Sequence, residues 1–214
     1  MNNQRSYPLF LNEISSETQI DWLAKQSEDI RKVTSITNND ILVQTPFIQN
    51  DAYVDPTALL IGGMIISKGC YIGPYAVIRL DEKPSAQPLI IGEDTNLQDG
   101  SIVHSTTQNI GSRVIVAHQA IVHGATIEDN VTIYIQAVVD GAGTVIGDGC
   151  FIHQGAYVGK GINVPKARYV APGQRILTQQ EADALPPIPD ALKAIRAHVM
   201  ELNALHAKRH AKMF

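Results

Sequence analysis

NIGSRVIVAHQAIVHGATIEDNVTIYIQAVV, residues 109–139, returns to an aliphatic side chain every five or six positions: Ile110, Val116, Val122, Ile127, Ile133 and Val139. The series extends upstream through Ile61, Ile66, Ile72 and Ile78, then Ile91, Leu97 and Val103. Downstream it runs through Ile146, Ile152 and Val158 and ends near Val170. Gly follows the aliphatic position at 62, 73, 92, 111, 147 and 159, and four residues after it stand small or β-branched side chains such as Ala76, Ser101, Ala120, Val131, Ala137 and Ala156. A period of six fits neither a 3.6-residue helix nor a straight strand of period two. It fits a short strand, a turn, and a repeat of that unit. Three units close one triangular coil of about 18 residues, and stacked coils pair their strands in parallel about 4.8 Å apart. The aliphatic position then points inward and the residue after it outward, so the expected class is an all-β parallel coil.

Composition agrees with one such domain and short appendages. The chain has 214 residues, 44% hydrophobic and 18% charged, with net charge −4 and pI ≈ 5.9. That balance argues against a nucleic-acid or anionic-membrane partner. No apolar run approaches the ~20 residues of a membrane span, and MNNQRSYPLF lacks a charged head followed by an apolar stretch, so the expectation is a soluble, cytoplasmic protein. Cys70 and Cys150 each fall four residues after an inward position, which makes them buried structural thiols. At the C-terminus, Thr178-Gln-Gln-Glu181 has the form of a capping box opening a short helix that the prolines at 186 and 187 end. Asp190 then caps a longer helix with an apolar stripe of Leu192, Ile195, Val199, Leu202 and Leu205, suited to the side of the domain or to a neighbouring subunit. Ser16-Glu-Thr-Gln19 is a second capping-box pattern. The expected organisation is a helical N-terminal arm over 1–45, the β-helix over 46–175, and C-terminal helices over 176–214.

Three histidines stand out on this frame. His104 follows Val103 and His123 follows Val122, so both take the outward position on the third face of successive coils, about 5 Å apart at the backbone. His118, two residues after Val116, belongs to the second face, and its side chain points off another side roughly 15 Å away. One chain does not easily bring all three imidazoles to one ion, whereas a threefold trimer does: His104 and His123 from one chain, His118 from the next. Three imidazoles with an open water position make a catalytic zinc-type site, while a lone surface histidine is more often simply solvated.

The stretches AVIRLDE (76–82), IGEDTNLQDGSIVH (91–104) and VAHQAIVHG (116–124), with GAYVGKGINVPKARYVAPG (155–173) and the C-terminal helix, resemble the γ-class carbonic anhydrases. The resemblance runs from about residue 47 to the end. It implies a left-handed parallel β-helix of hexapeptide repeats with the C-terminal helix packed alongside, a homotrimer with metal sites between subunits, and CO2 and bicarbonate as substrates. It makes His104, His118 and His123 the ligands of zinc, with iron or cobalt as alternatives, because three neutral nitrogens do not choose among these metals. The implied chemistry is attack on CO2 by hydroxide from a metal-bound water whose pKa falls towards ~7. In the same way Gln98 orients the hydroxide, Glu82 relays the proton with Asp81 beside it, Arg79 and Asp99 form an ion pair across the subunit interface, and Asn203 reaches the site from the C-terminal helix.

The chain also departs from the family pattern. The long acidic loop that some members carry after the first ligand is replaced by Ser105-Thr-Thr-Gln-Asn109. Tyr134 stands where many have Gly, and Glu201 stands where the family has Tyr. Glu201 is a candidate proton acceptor, and Tyr134 a residue that narrows the pocket. The stretch 138–147 is longer than a plain hexapeptide and is expected to bulge near the site, with Asp140 in the column above His123. His153, His198, His206 and His210 read as surface or packing residues. Two other functions stay open: a catalytically weak assembly or binding module of the same family, and a hexapeptide-repeat CoA-dependent acyltransferase, which explains the repeat but not the three histidines.

Overall fold

A computed structural model describes residues 46–80, 88–104 and 109–213, with side chains as far as Arg209. The expected arm over 1–45, Asp81 and Glu82, the stretch 105–108 and the His210 side chain lie outside the described residues. Where described, the chain winds into a parallel β-solenoid, the left-handed β-helix. The second face is a seven-stranded parallel sheet from Tyr53–Val54 to Tyr169–Val170, and the third a seven-stranded sheet from Leu59–Ile61 to Arg175–Ile176. The first face is two three-stranded sheets joined through isolated bridges at Ile110.

The inward residues stack in register, one column per face. Ile66, Ile91, Ile110, Ile127 and Ile146 form one column, and Ile72, Leu97, Val116, Ile133 and Ile152 the next. All are at most 2% exposed, worth about 1.5–3 kcal/mol per side chain as an upper bound. One inward assignment moves by a residue: Leu60, not Ile61, pairs with inward Ile78 and is buried.

The corners explain the rest of the six-residue pattern. Three positions after the inward residue the chain enters the left-handed region, at Arg113, Gln119, Asn130 and Gln136 with φ of 54°, 58°, 56° and 56°. That turns the strand direction, and the next residue, Ala120, Val131 or Ala137, drops into the corner fully buried. Gly111 follows its inward residue for a different reason: a Cβ there would lie 2.7 Å from the backbone carbon of Glu128 on the coil above. Cys70 and Cys150 occupy the corner position as expected, donating Sγ–H to Gly92 O at 3.1 Å and Pro165 O at 2.9 Å.

Helix α1, Gln179–Asp183, begins on the expected capping box at Thr178 and Glu181. Helix α2, Asp190–Met213, starts at Asp190 itself, the residue expected as its cap, whose carboxylate pairs with Lys193. It runs back over the second face, with Ala207 packed on Tyr53 and Tyr71. Arg196 donates Nη1 to Asn130 O and, at 3.1 Å, to Gly149 O. Its inner side is thus Arg196, Asn203 and Ala207. Much of the expected apolar stripe stays open to solvent: Ile195, Leu202 and Leu205 are 43, 39 and 42% exposed. The helix docks through a guanidinium and small residues because the corner carbonyls beneath it need donors. Among the described residues no helix is long and apolar enough to cross a membrane.

Candidate metal centre

On the third face, parallel pairing sets Arg79 against His104, His104 against His123, and His123 against Asp140. The His104 and His123 rings stack at 5.2 Å between centroids and 20° between planes. Asp140 stands above His123 because each directly follows an inward valine, Val139 and Val122, that pair in register, and the chain turns away just beyond it at Gly141 with φ 90°. Its Oδ1 lies 2.8 Å from His123 Nδ1. A carboxylate only accepts, so Nδ1 carries a proton, and in the neutral imidazole Nε2 keeps its lone pair. The Asp140 carboxyl is held below the usual carboxylate range, first by this bond, with a further contribution from the Tyr157 hydroxyl. That hydroxyl in turn is pushed up, chiefly by the same carboxylate.

His118 sits apart, on the turn after the second face. Its Nδ1 is 2.7 Å from Asp99 Oδ2 in the same chain, so here too Nδ1 is the donor, and in the neutral imidazole Nε2 is the acceptor. Asp99 was expected to serve Arg79 of another copy. Its bond to His118 was missed, although both residues stand two positions after inward residues that pair across adjacent coils, Leu97 and Val116. His118 and Asp99 line an open cleft of about 420 Å³ between helix α2 and the second face, together with Gln98, Tyr134, Asn203 and His206. Gln98 and Asn203 are 8 and 7% exposed, and Asn203 Nδ2 has no hydrogen-bond partner among the described residues. A buried amide donor without a partner is costly, and its position marks a place for an acceptor.

Of the departures from the family pattern, Tyr134 lines the cleft, while Glu201 is exposed and does not line it. His206, read as a surface or packing residue, also lines the cleft. Only its position one turn beyond Asn203 on the helix could have signalled that. His153 belongs to an aromatic cluster with Tyr134, Phe151 and Tyr169, and burial lowers its pKa. Among the described residues, no three His, Cys, Asp or Glu side chains of one chain converge closely enough to hold an ion.

The seven-stranded parallel faces, the stacked aliphatic columns and the flanking helix define the class: a hexapeptide-repeat left-handed β-helix protein. A solved Bacillus cereus structure superposes with a TM-score of 0.50 at 23% identity, covering 77% of this chain and 93% of that one, a likeness of fold alone. No family model matches the chain. It is 32% identical over 168 residues to a carbonic anhydrase of Methanosarcina thermophila, which covers 68% of this chain and 66% of that protein. It is 32% identical over 170 residues to a carboxysome assembly protein of a Nostoc species, 73% of this chain and 30% of that protein. The chain belongs to the γ-class carbonic anhydrase family.

Proposed function

We propose that the protein hydrates CO2 reversibly to bicarbonate at a zinc centre made between copies of itself, with His104 and His123 from one chain and His118 from the next in a homotrimer. The observation that carries this reading is the pairing of His118 and His123, through Nδ1, with Asp99 and Asp140 at 2.7 and 2.8 Å. A carboxylate behind a histidine fixes its tautomer and raises its basicity as a ligand, and two neutral Nε2 acceptors so prepared fit a divalent cation. Iron or cobalt suits the same donors. Such a cation would supply Lewis acidity, lowering the pKa of water towards ~7.

The chain's own residues do the rest. Val199, Leu202 and Ile135 line the cleft with apolar surface suited to CO2. The Asn203 amide, buried and unsatisfied among the described residues, donates to an oxygen of CO2 or bicarbonate. Gln98, on the same cleft, orients the attacking water. Glu82, with Asp81, takes the released proton towards solvent. Asp99, with Oδ2 engaged by His118, offers its second oxygen to Arg79 of the neighbouring copy. The outward third-face residues Leu59, Val77, Ile102, Ile121 and Val138 are only partly covered in one chain, which favours an interface there.

CO2 hydration by stopped flow, on anaerobically purified and metal-replete protein, tests the reading: turnover in the wild type and its loss in His104→Ala are expected. A second reading, a metal-holding assembly module with little hydration, is favoured by the absence of any carboxylate in 105–109 and by the match to an assembly protein over 73% of this chain. Metal bound in a His104-dependent way without turnover decides for it.

A further inference from the structure

Beyond the histidine pair, the third face continues as a line of contacts reaching two more coils. Asp140 gives Oδ1 to His123, and its Oδ2 accepts from Tyr157 Oη at 3.0 Å. Tyr157 pairs in register with Arg175 on the last coil, and the guanidinium carbon lies 4.4 Å from the centre of the tyrosine ring, a cation–π contact. The backbone at Asp140 is pinned as well. Its carbonyl accepts from Thr144 Oγ1 at 2.9 Å, and the next amide, Gly141 N, donates to His123 O at 2.6 Å. Side chains are excluded at that glycine, where a Cβ would meet Lys160 Cβ at 2.6 Å.

We infer that Tyr157, steadied by Arg175, is a positioning residue for the metal centre: its hydroxyl locks the Asp140 carboxylate so that His123 presents Nε2 as a ligand. This rests on the proposed three-histidine site. The terminal torsion of an aspartate is broad and two-fold, so one hydrogen bond from His123 leaves the carboxylate free to rotate. A second donor on the opposite oxygen removes that freedom. Without it Oδ1 swings away from Nδ1 part of the time, and the imidazole samples the tautomer with the proton on Nε2, which does not ligate. Tyr157 supplies no ligand of its own. It acts only through Asp140.

The test is Zn2+ affinity by chelator competition on the full chain. Tyr157→Phe keeps the ring under Arg175 and deletes only the hydroxyl, and it should weaken binding about tenfold, the lower end of the range for outer-shell partners. Asp140→Asn should weaken it further, and Tyr157→Phe added to Asp140→Asn should do nothing more, because both act through one bond. A thermal midpoint of metal-free Tyr157→Phe equal to that of the wild type separates this from a folding defect. Unchanged Zn2+ affinity in Tyr157→Phe, or an additive double variant, overturns the inference while the site stands. Zn2+ binding that survives His104→Ala removes the site itself and the inference with it.

Discussion

At the scale of single residues, the outward and corner positions carry the chemistry, and the repeat makes most of them legible. His104, His123 and Asp140 were expected in one column, and parallel register sets them there. The Asp99–His118 bond escaped because a family pattern was read where counting positions from the inward residue was enough. The Asn203 amide could not be seen as unsatisfied from sequence, since its burial depends on how α2 lies on the second face. The cysteines were legible, and their burial has a measurable consequence. Burial pushes the Cys70 thiol to about 12 and the Cys150 thiol to about 11, from an ordinary value of 9.0. The folded state therefore holds these protons more tightly than the unfolded chain. The stability they contribute is whole below about pH 9 and falls as the pH rises towards 11. A thiol reagent at pH 8 should leave both unmodified in the native protein and label both in urea, and stoichiometric labelling of native protein would contradict their burial.

At the scale of elements, the unit is the coil, and its turns are as demanding as its strands. Glycine after the aliphatic position was legible as a pattern, but its cause is contact between stacked turns. Gly111→Ala would set a Cβ 2.6 Å from Asp129 Oδ1 and 2.7 Å from the Glu128 backbone, and backbone cannot step aside as a side chain can. A loss of about 1–3 kcal/mol is expected, the usual range for overpacking, read as a lowered urea midpoint with unchanged slope. An unchanged midpoint would contradict this close stacking of the turns. The two C-terminal helices were legible as helices, α1 with its capping box, but the facing of α2 was not. Apolar periodicity suggests Leu202 and Leu205 inward, whereas Arg196, Asn203 and Ala207 make the contact. A helix lying over turn carbonyls and tyrosines meets polar surface, and Ile195 and Leu205 of its apolar stripe stay exposed while Val199 and Leu202 line the cleft.

At the scale of the whole molecule, the proposed trimer accounts together for the exposed part of that stripe and for the half-covered third face. A single chain holds two of the proposed ligands on the third face and the third on a turn beside the second, and no three potential ligands meet among its described residues. The proposed closed threefold symmetry would bring the two kinds of surface together at each interface. The most direct test is complementation between His104→Ala and His118→Ala. Each variant alone should lose His-dependent metal binding and CO2 hydration. Co-expressed, they should form mixed trimers in which about one interface in three joins an intact His104–His123 pair to an intact His118, restoring roughly that share of metal and turnover. No recovery in mixed trimers verified by mass, or a monomer that binds the metal through all three histidines, would contradict a site built between chains.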